Sequence, residues 1–249
     1  ILTDYKVLVL AVDEGHISRQ FQGLLASGEN ELGLEDAAKL VGCWNGLAKR
    51  VNPEKLDEFE SDPEPMRRAV AFAGNIKNSK MVTASFNEVV ENEGDGLAPE
   101  GEADLNLQVR HVDGTQNVLI RNEALDWLRE DPGEGECRIL SNAKCLSEGV
   151  DVPALDAVLF LAPRKSQVDV VQSVGRVMRK PKDGSKKFGY VILPIAVPAD
   201  TDPEQALNDN DRYKVVWQVL QALRSHDERL DAIINKLDLT ENDTKGKVS

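Results

Sequence analysis

The chain has 249 residues, and its 41% hydrophobic content is enough for one sizeable core. Thirty basic against 43 acidic residues give a net charge of −13, which excludes a protein that coats nucleic acid with its whole surface. Three cysteines without metal-ligand spacing, three scattered histidines and no apolar run of about twenty residues predict reduced thiols, no metal site, no membrane span and a cytoplasmic protein.

The first 64 residues contain one strand and one helix before a polar connector. Residues 6–12 are a continuous apolar run, typical of a buried strand, and apolar positions at helical spacing predict a helix over residues 34–49. Residues 52–65 hold three prolines, six acidic residues and one lysine, so we interpret them as a solvated connector. The chain begins at Ile1 rather than Met, and we expect it to be a fragment of a longer protein.

Strands and helices alternate between residues 65 and 199. Apolar runs predict strands at residues 68–73, 105–112, 137–140, 157–162 and 188–193. Strands joined by helical crossovers form a parallel sheet covered on both faces, so we predict an α/β fold. Asn75 directly follows the first of these strands, where it can also cap the next helix, and Gly114 follows the second. His111 is interpreted as a sheet-face residue rather than a catalyst.

A helix with a basic strip is predicted after the strand at 157–162. Ser166 and the carboxylate three residues later form a helix start of the S-x-x-D type. Gln172, Arg176 and Arg179 then share one polar strip, because they are four and three residues apart. Paired guanidinium groups suit a phosphate, since each planar fork donates two hydrogen bonds; a solvated face on a packing helix is the alternative. Residues 164–187 carry eight Lys or Arg and two Asp, a local charge of +6.

Two ordered motifs resemble motifs V and VI of superfamily 2 helicases and translocases. The first is Ser-x(7)-Gly-x-Asp, from Ser141 to Asp151, and the second is Gln-x-x-Gly-Arg-x-x-Arg, from Gln172 to Arg179. The sequence LSEGVDVP over residues 146–153 is most similar to the restriction-enzyme branch. The DEAD-box branch is a poorer match, because Ser141 stands in place of the commoner threonine. The resemblance implies a RecA-like three-layer fold, an ATP-dependent helicase or translocase, and nucleic acid, in this branch DNA, as the partner.

The resemblance also implies roles for individual residues. Arg176 and Arg179 would act as arginine fingers on the γ-phosphate of ATP. Gln172 would lie beside that phosphate, and the ribose would be approached by Gly149 and Asp151. The nucleic-acid backbone would be contacted by three residues at strand ends, namely Asn75 in a motif IV-like segment, Gly114 and Ser141.

Domain boundaries follow from the same resemblance. Residues 1–64 would be a lead-in strand and helical connector from the first motor lobe, and residues 65–199 would be the C-terminal RecA-like domain. Residues 200–249 are predicted to be a helical extension, because an apolar stripe at 213–223 is continued by apolar positions at 230–237.

The sequence holds no G-x-x-x-x-G-K-[ST] phosphate loop and no acidic strand end to accompany one. ATP and Mg²⁺ would then be held mainly by a first RecA-like lobe outside this chain, so we expect no ATP hydrolysis from this chain alone. Two alternatives stay open. One is a non-catalytic interaction module derived from such a lobe, and the other is a self-sufficient nucleotide-binding α/β protein, which the absent phosphate loop disfavours.

Overall fold

The computed structural model describes residues 4–15, 34–50, 59–97, 105–143, 155–163, 166–177, 179, 188–198, 201, 206–207, 212–225 and 232–236. These residues form seven strands, β1 (Asp4–Asp13), β2 (Arg68–Phe72), β3 (Asn106–Asp113), β4 (Glu136–Ala143), β5 (Ala157–Phe160), β6 (Phe188–Val197) and β7 (Ala232–Lys236). They also form five helices, α1 (Leu34–Leu47), α2 (Ile76–Leu97), α3 (Val118–Arg129), α4 (Gln167–Val177) and α5 (Lys214–Arg224). None of these helices is long and apolar enough to cross a membrane.

All seven strands belong to one parallel sheet, in the order β3-β4-β2-β5-β6-β1-β7. The continuous apolar runs of β1 and β6 each lie between two neighbouring strands, where side chains on both faces are covered. In β1, for example, Val7 to Val12 are all at most 1% exposed. The structure therefore confirms the predicted α/β fold with a parallel sheet.

Helices cover the sheet on both faces and give three layers. On one face, α1 and α2 pack through Leu40, Trp44 and Phe86 against alternate residues of the strands. On the other face, α3, α4 and α5 pack against the strand residues that point the opposite way, including Val7, Val9 and Val191. The period-2 alternation of each strand thus supplies two separate apolar cores with one sheet between them.

Helix α1 approaches the sheet closely because two glycines face it. A Cβ atom added at Gly46 would lie 2.5 Å from Leu10 Cδ1, and one added at Gly42 would lie 3.3 Å from Pro194 Cβ. Trp44 fills the space beside them, and its indole nitrogen donates a hydrogen bond to the Leu105 carbonyl oxygen at 3.1 Å. This contact ties α1 to the residue that precedes β3.

The position of β1 bears on the boundary placed at residue 64. β1 pairs with β6 from Asp4↔Phe188 to Asp13↔Val197 and with β7 on its other side. Among the described residues, this strand is therefore an interior part of the same sheet as residues 68–197. Sequence reasoning missed this because an apolar run predicts a buried strand but does not say which strands are its neighbours.

The C-terminal prediction is half confirmed and half wrong. The apolar stripe at residues 213–223 forms α5, in which Val216, Val219 and Leu220 are buried, as predicted. The predicted continuation of the helix is wrong, because residues 232–236 form strand β7 in parallel register with β1. The open edge of β1 supplies backbone partners, and the β-branched pair Ile233 and Ile234 suits a strand.

A buried polar cluster, called here the amino-end cluster, lies near the start of the strands and consists of Lys49, Asp62 and Tyr190. The Lys49 ammonium lies 2.9 Å from Asp62 Oδ2 and also donates to the Asp62 carbonyl oxygen at 2.7 Å. The Tyr190 hydroxyl donates to the same Oδ2 atom at 2.8 Å, and the ammonium lies 4.8 Å from the Tyr190 ring centre. Burial, followed by the Asp62 carboxylate, raises the pKa of Tyr190, so the neutral phenol is the form present. The cluster joins the end of α1 to β6.

Candidate functional site

The predicted contact residues lie at one edge of the sheet. Because all strands are parallel, the ends of β2, β3, β4 and β5 meet at the same carboxyl edge, where open α/β sheets bind their ligands. Asn75 follows β2, and Gly114 follows β3. Ser141 is the third residue from the end of β4. The structure therefore brings these three residues to a common edge.

A topological switch point lies at this edge between β2 and β5. The helix after β2 is α2, which covers one face, whereas the helix after β5 is α4, which covers the other. Directly at this point Gly74 approaches Ala162, since a Cβ atom added at Gly74 would lie 3.3 Å from the Ala162 Cβ. A solvent-open pocket is lined there by residues that include Asp36, Lys39, Asn78, Met81, Ala73 and Leu161. The crevice adjoins Asn75 and opens to solvent.

Asn75 is the N-terminal cap of α2. Its Oδ1 atom accepts a hydrogen bond from the Asn78 backbone N–H at 2.8 Å, and its carbonyl oxygen accepts one from the Ser79 N–H at 3.0 Å. This confirms the capping role predicted for Asn75. The residue is exposed at the carboxyl edge, and its contact with nucleic acid stays a prediction.

Gly114 sits in a tight turn organised by the carboxylate of Asp113. Asp113 Oδ1 accepts hydrogen bonds from the Thr115 N–H at 2.7 Å and from the Thr115 hydroxyl, while the Asp113 N–H donates to Gln116 Oε1 at 3.1 Å. The bond from the Thr115 hydroxyl and then that from His111 hold the pKa of Asp113 well below its ordinary value, so the carboxylate is ionised. Gly114 is exposed at the apex of this turn.

Ser141 occupies a different environment from the one that a direct phosphate contact requires. Its side chain is fully buried, and its hydroxyl lies 2.7 Å from Ser79 Oγ and 3.3 Å from the Ser79 carbonyl oxygen. The Ser79 hydroxyl in turn lies 2.7 Å from His111 Nδ1, and His111 Nε2 lies 2.7 Å from Asp113 Oδ2. We call this chain of four side chains, from Ser141 to Asp113, the carboxyl-end relay.

Sequence reasoning missed the relay. His111 was interpreted as a sheet-face residue, which its place on β3 confirms, but its two partners were not foreseen. The spacing of His111 and Asp113 was a usable signal, because residues two apart on a strand share a face. The pairing of His111 with Ser141 depends on the parallel register of β3 and β4, which no local pattern shows.

Helix α4 begins as its sequence predicted. The Asp169 N–H donates to the Ser166 hydroxyl at 3.2 Å, which confirms the predicted start. Ser173 is fully buried and donates to the Asp169 carbonyl oxygen at 2.6 Å, so the side of the helix that contains it faces the core. Gln172 is exposed on the same helix.

The two arginines predicted as fingers lie on either side of the end of α4, because Arg176 is in its last turn and Arg179 is two residues beyond it. Arg176 is half-buried, whereas Arg179 is exposed, and their backbones are joined by a hydrogen bond of 3.3 Å from the Arg179 N–H to the Arg176 carbonyl oxygen. An added Cβ atom at Gly175 would meet no atom within 4 Å, so the backbone beside Arg176 is uncovered. Gly149 and Asp151, the predicted ribose contacts, lie outside the described residues.

The cysteine chemistry agrees with the prediction of reduced thiols. Cys43 and Cys137 are free and fully buried, and burial raises the pKa of both thiols, which makes them poor nucleophiles. Cys145 lies outside the described residues. Among the residues with described positions, no group of three or more His, Cys, Asp or Glu side chains could hold a metal ion.

Comparison with known proteins identifies a helicase domain. Residues 65–181 match the family model of the helicase conserved C-terminal domain. Over 113 residues, 45% of this chain, the sequence is 36% identical to the probable helicase A859L of African swine fever virus, both in isolate Tick/South Africa/Pretoriuskop Pr4/1996 and in strain Badajoz 1971 Vero-adapted. The match covers 12% of the viral protein.

A solved structure matches almost the whole chain. It is described as the ATP-dependent Type ISP restriction-modification enzyme LlaBIII bound to DNA, and it is 43% identical in sequence with a TM-score of 0.80. The match covers 95% of this chain but 16% of that chain. Both relatives are therefore much longer than the chain described here.

Proposed function

We propose that the chain is the second motor lobe of an ATP-dependent DNA translocase or helicase of the restriction-modification type, from the premise that residues 65–181 match the helicase conserved C-terminal domain. The observation that carries the proposal is the match over 95% of the chain, at 43% identity, to a restriction-modification enzyme bound to DNA. The geometry supports it, because Asn75, Gly114 and Ser141 lie at the carboxyl edge of the parallel sheet. Gln172 and Arg176 lie on the helix after β5.

In this proposal, Arg176 and Arg179 contact the γ-phosphate and stabilise the charge that develops in the transition state of phosphoryl transfer. Guanidinium groups fit this task because they stay charged and donate in a planar fork. Gln172 lies on the same helix and would approach the same phosphate. Gly149 and Asp151 would contact the ribose, as the resemblance of their motif implies.

The residues of this chain can bind only part of ATP. The arginines can bind the γ-phosphate, whereas the chain contains no phosphate loop to cradle the β- and γ-phosphates. In the proposal, a first RecA-like lobe holds most of the nucleotide and its Mg²⁺, and this lobe is the partner that α4 meets. ATP bound there supplies the energy for translocation, and this chain alone does not hydrolyse it.

DNA would lie along the carboxyl edge. Asn75 and Gly114 are exposed there and offer an amide and an uncovered backbone to phosphate oxygens. The basic segment 164–187 opposes the net charge of −13, and its Lys and Arg side chains would attract the DNA phosphates. The buried hydroxyl of Ser141 would support this edge from below rather than touch DNA.

The test is to measure DNA-stimulated ATP turnover in the full-length protein with Arg176→Ala and Arg179→Ala. Arginine fingers contribute roughly 10³- to 10⁵-fold in rate to other phosphoryl-transfer enzymes, so we expect each variant to lose most of its turnover. Lysine should rescue poorly, because a point charge cannot replace the bidentate fork. Thermal stability should change by no more than about 0.5 kcal/mol.

The control is Arg129→Ala. Arg129 is an exposed helix-face arginine that pairs with Asp126 at 2.7 Å, far from the proposed nucleotide. Its loss should leave turnover unchanged. Wild-type turnover in both finger variants would remove the finger roles of Arg176 and Arg179, whereas no DNA-stimulated turnover in the wild-type protein would favour a non-catalytic interaction module derived from a helicase lobe.

A further inference from the structure

The carboxyl-end relay connects three segments of the fold. Ser79 belongs to α2, His111 and Asp113 to β3, and Ser141 to β4. Ser79 and Ser141 are fully buried, and the His111 and Asp113 side chains are 10% and 2% exposed. The serine, histidine and aspartate are the residue types of a hydrolytic triad, but a fully buried serine can meet no substrate, so its role is structural or positional.

The direction of every hydrogen bond in the relay follows from Asp113. An ionised carboxylate only accepts, so His111 Nε2 must carry the hydrogen and donate to Asp113 Oδ2. In the neutral ring Nδ1 then accepts, and the Ser79 hydroxyl donates to it. Ser79 Oγ is left to accept from the Ser141 hydroxyl. All donors in the relay therefore point the same way, from Ser141 of β4 through Ser79 of α2 and His111 to Asp113 at the end of β3.

The turn at the end of β3 has few other supports. β3 is at the edge of the sheet formed by the described strands and pairs with β4 alone. The Asp113 carboxylate organises the turn that carries Gly114, and His111 is the side chain that ties this carboxylate to α2. Helix α2 in turn begins at Asn75, the other exposed residue of the proposed DNA edge.

We propose that His111 is a positioning residue for DNA binding. It locks the Asp113–Gln116 turn to α2 and β4, so that Asn75 and Gly114 face the DNA backbone as one rigid surface. This inference rests on the proposed function, because it assumes that the carboxyl edge binds DNA. It assigns to His111 no contact with DNA or nucleotide.

Two substitutions separate the two halves of the relay. In His111→Gln the side-chain amide reaches the place of Nε2 and can still donate to Asp113, whereas the bond to Ser79 is lost. In His111→Asn the shorter amide reaches the place of Nδ1 and keeps the Ser79 bond, whereas the bond to Asp113 is lost. The matched control is Thr83→Ala, because the Thr83 hydroxyl donates to the Ser79 carbonyl oxygen at 3.0 Å without belonging to the relay.

The experiment measures the anisotropy of a fluorescein-labelled DNA oligonucleotide bound by this chain, together with hydrogen exchange of the Thr115 amide. We expect His111→Asn and His111→Ala to weaken DNA binding about fivefold to tenfold and to speed exchange at Thr115, the scale of one lost hydrogen bond. His111→Gln should stay within about twofold of the wild type on both readouts. Thr83→Ala should match the wild type.

Nitrogen NMR of the imidazole is measured on the wild-type protein, so it tests the inference even if a variant fails to fold. In the wild type, His111 should be the Nε2–H tautomer with an unprotonated Nδ1. The opposite tautomer, or equal behaviour of His111→Gln and His111→Asn, overturns the inference. Absence of DNA binding by the wild type overturns the proposed function instead, and Thr115 exchange then still decides whether His111 positions the turn.

Discussion

The two ends of the sheet each contain a buried polar cluster, but the clusters are built from different chemistry. The amino-end cluster pairs the buried ammonium of Lys49 with the mostly buried carboxylate of Asp62. The carboxyl-end relay has a single carboxylate, Asp113, which bonds His111 inside the fold and the Thr115 N–H in an exposed turn. The amino-end cluster joins parts of the domain to each other, whereas the carboxyl-end relay ends at the turn where DNA is proposed to bind.

Because of this difference, we expect substitutions in the two clusters to affect different properties, stability in one case and DNA binding in the other. Breaking an ion pair leaves an unpaired buried charge, which is costly whatever the protein does. Breaking a relay of hydroxyls and imidazole costs single hydrogen bonds but changes how an exposed turn is held. We therefore expect the amino-end cluster to dominate unfolding experiments and the carboxyl-end relay to dominate DNA-binding experiments.

The largest effect on stability is expected for Lys49→Met, which keeps the apolar stem and removes the charge. The free energy of unfolding should fall by about 2–3 kcal/mol, less than the roughly 3–5 kcal/mol typical of a fully buried pair, because the Asp62 side chain is 21% exposed. Urea denaturation measures the change, and DNA affinity of the folded variant should equal that of the wild type.

Lys39→Met is the control for this prediction. Lys39 pairs with Glu35 on the surface, and exposed pairs contribute about 0–1 kcal/mol. Equal losses in the two variants would show that Lys49 and Asp62 act as an ordinary surface pair, and the contrast between the ends of the sheet would fail.

A smaller loss, about 1–2 kcal/mol at neutral pH, is expected for Asp113→Asn, because the ionised carboxylate accepts bonds from Thr115 and His111. The pKa of Asp113 is lowered on folding from an ordinary value of 3.8, so its contribution is complete above that pH and is lost as the pH falls toward the folded pKa. The difference between wild type and variant should therefore shrink between pH 5 and pH 3 in urea denaturation.

The surface carboxylate Asp126 supplies the comparison for Asp113. It pairs with Arg129 and its side chain is 67% exposed, so Asp126→Asn should be almost neutral at every pH. A stability difference for Asp113→Asn that does not vary with pH would contradict the assignment of an ionised, hydrogen-bonded carboxylate at this position.

The smallest effect is expected for Tyr190→Phe. The variant loses one hydrogen bond to Asp62 and keeps the ring, which stacks on Phe59 with centres 6.0 Å apart and faces the Lys49 ammonium. About 1 kcal/mol should be lost in thermal or urea unfolding. A loss larger than that of Lys49→Met would mean that the phenol, and not the ion pair, holds the amino-end cluster together.

Local sequence patterns predicted most elements and the start of α4. The apolar runs of β1 to β6, the capping oxygen of Asn75 and the Ser166 start depend on neighbours within a few residues, and the structure confirms each of them. Such features are predictable because the physical cause and the residues concerned are adjacent in the sequence.

The features that escaped prediction depend on residues far apart in the chain. Residues 232–236 are predicted to be helical because Ile233 and Ile234 fit both the helical and the strand period of apolar residues over so short a segment. They form a strand because they pair with the otherwise open edge of β1. The buried state of Ser141 depends on Ser79 of α2. Likewise, the relay needs the register of β3 against β4, which sets His111 opposite Ser141.

The interior position of β1 has a consequence for the order in which the chain can fold. Its main partner, β6, ends at Val197, so β1 must wait for almost the whole lobe to be synthesised before it can pair. Until then an apolar strand with two open edges is exposed, and pairings over such sequence distances form slowly. Residues 68–160, by contrast, already contain the neighbouring strands β2 to β5. We infer that assembly starts in that half of the sheet and that the N-terminal strand docks last.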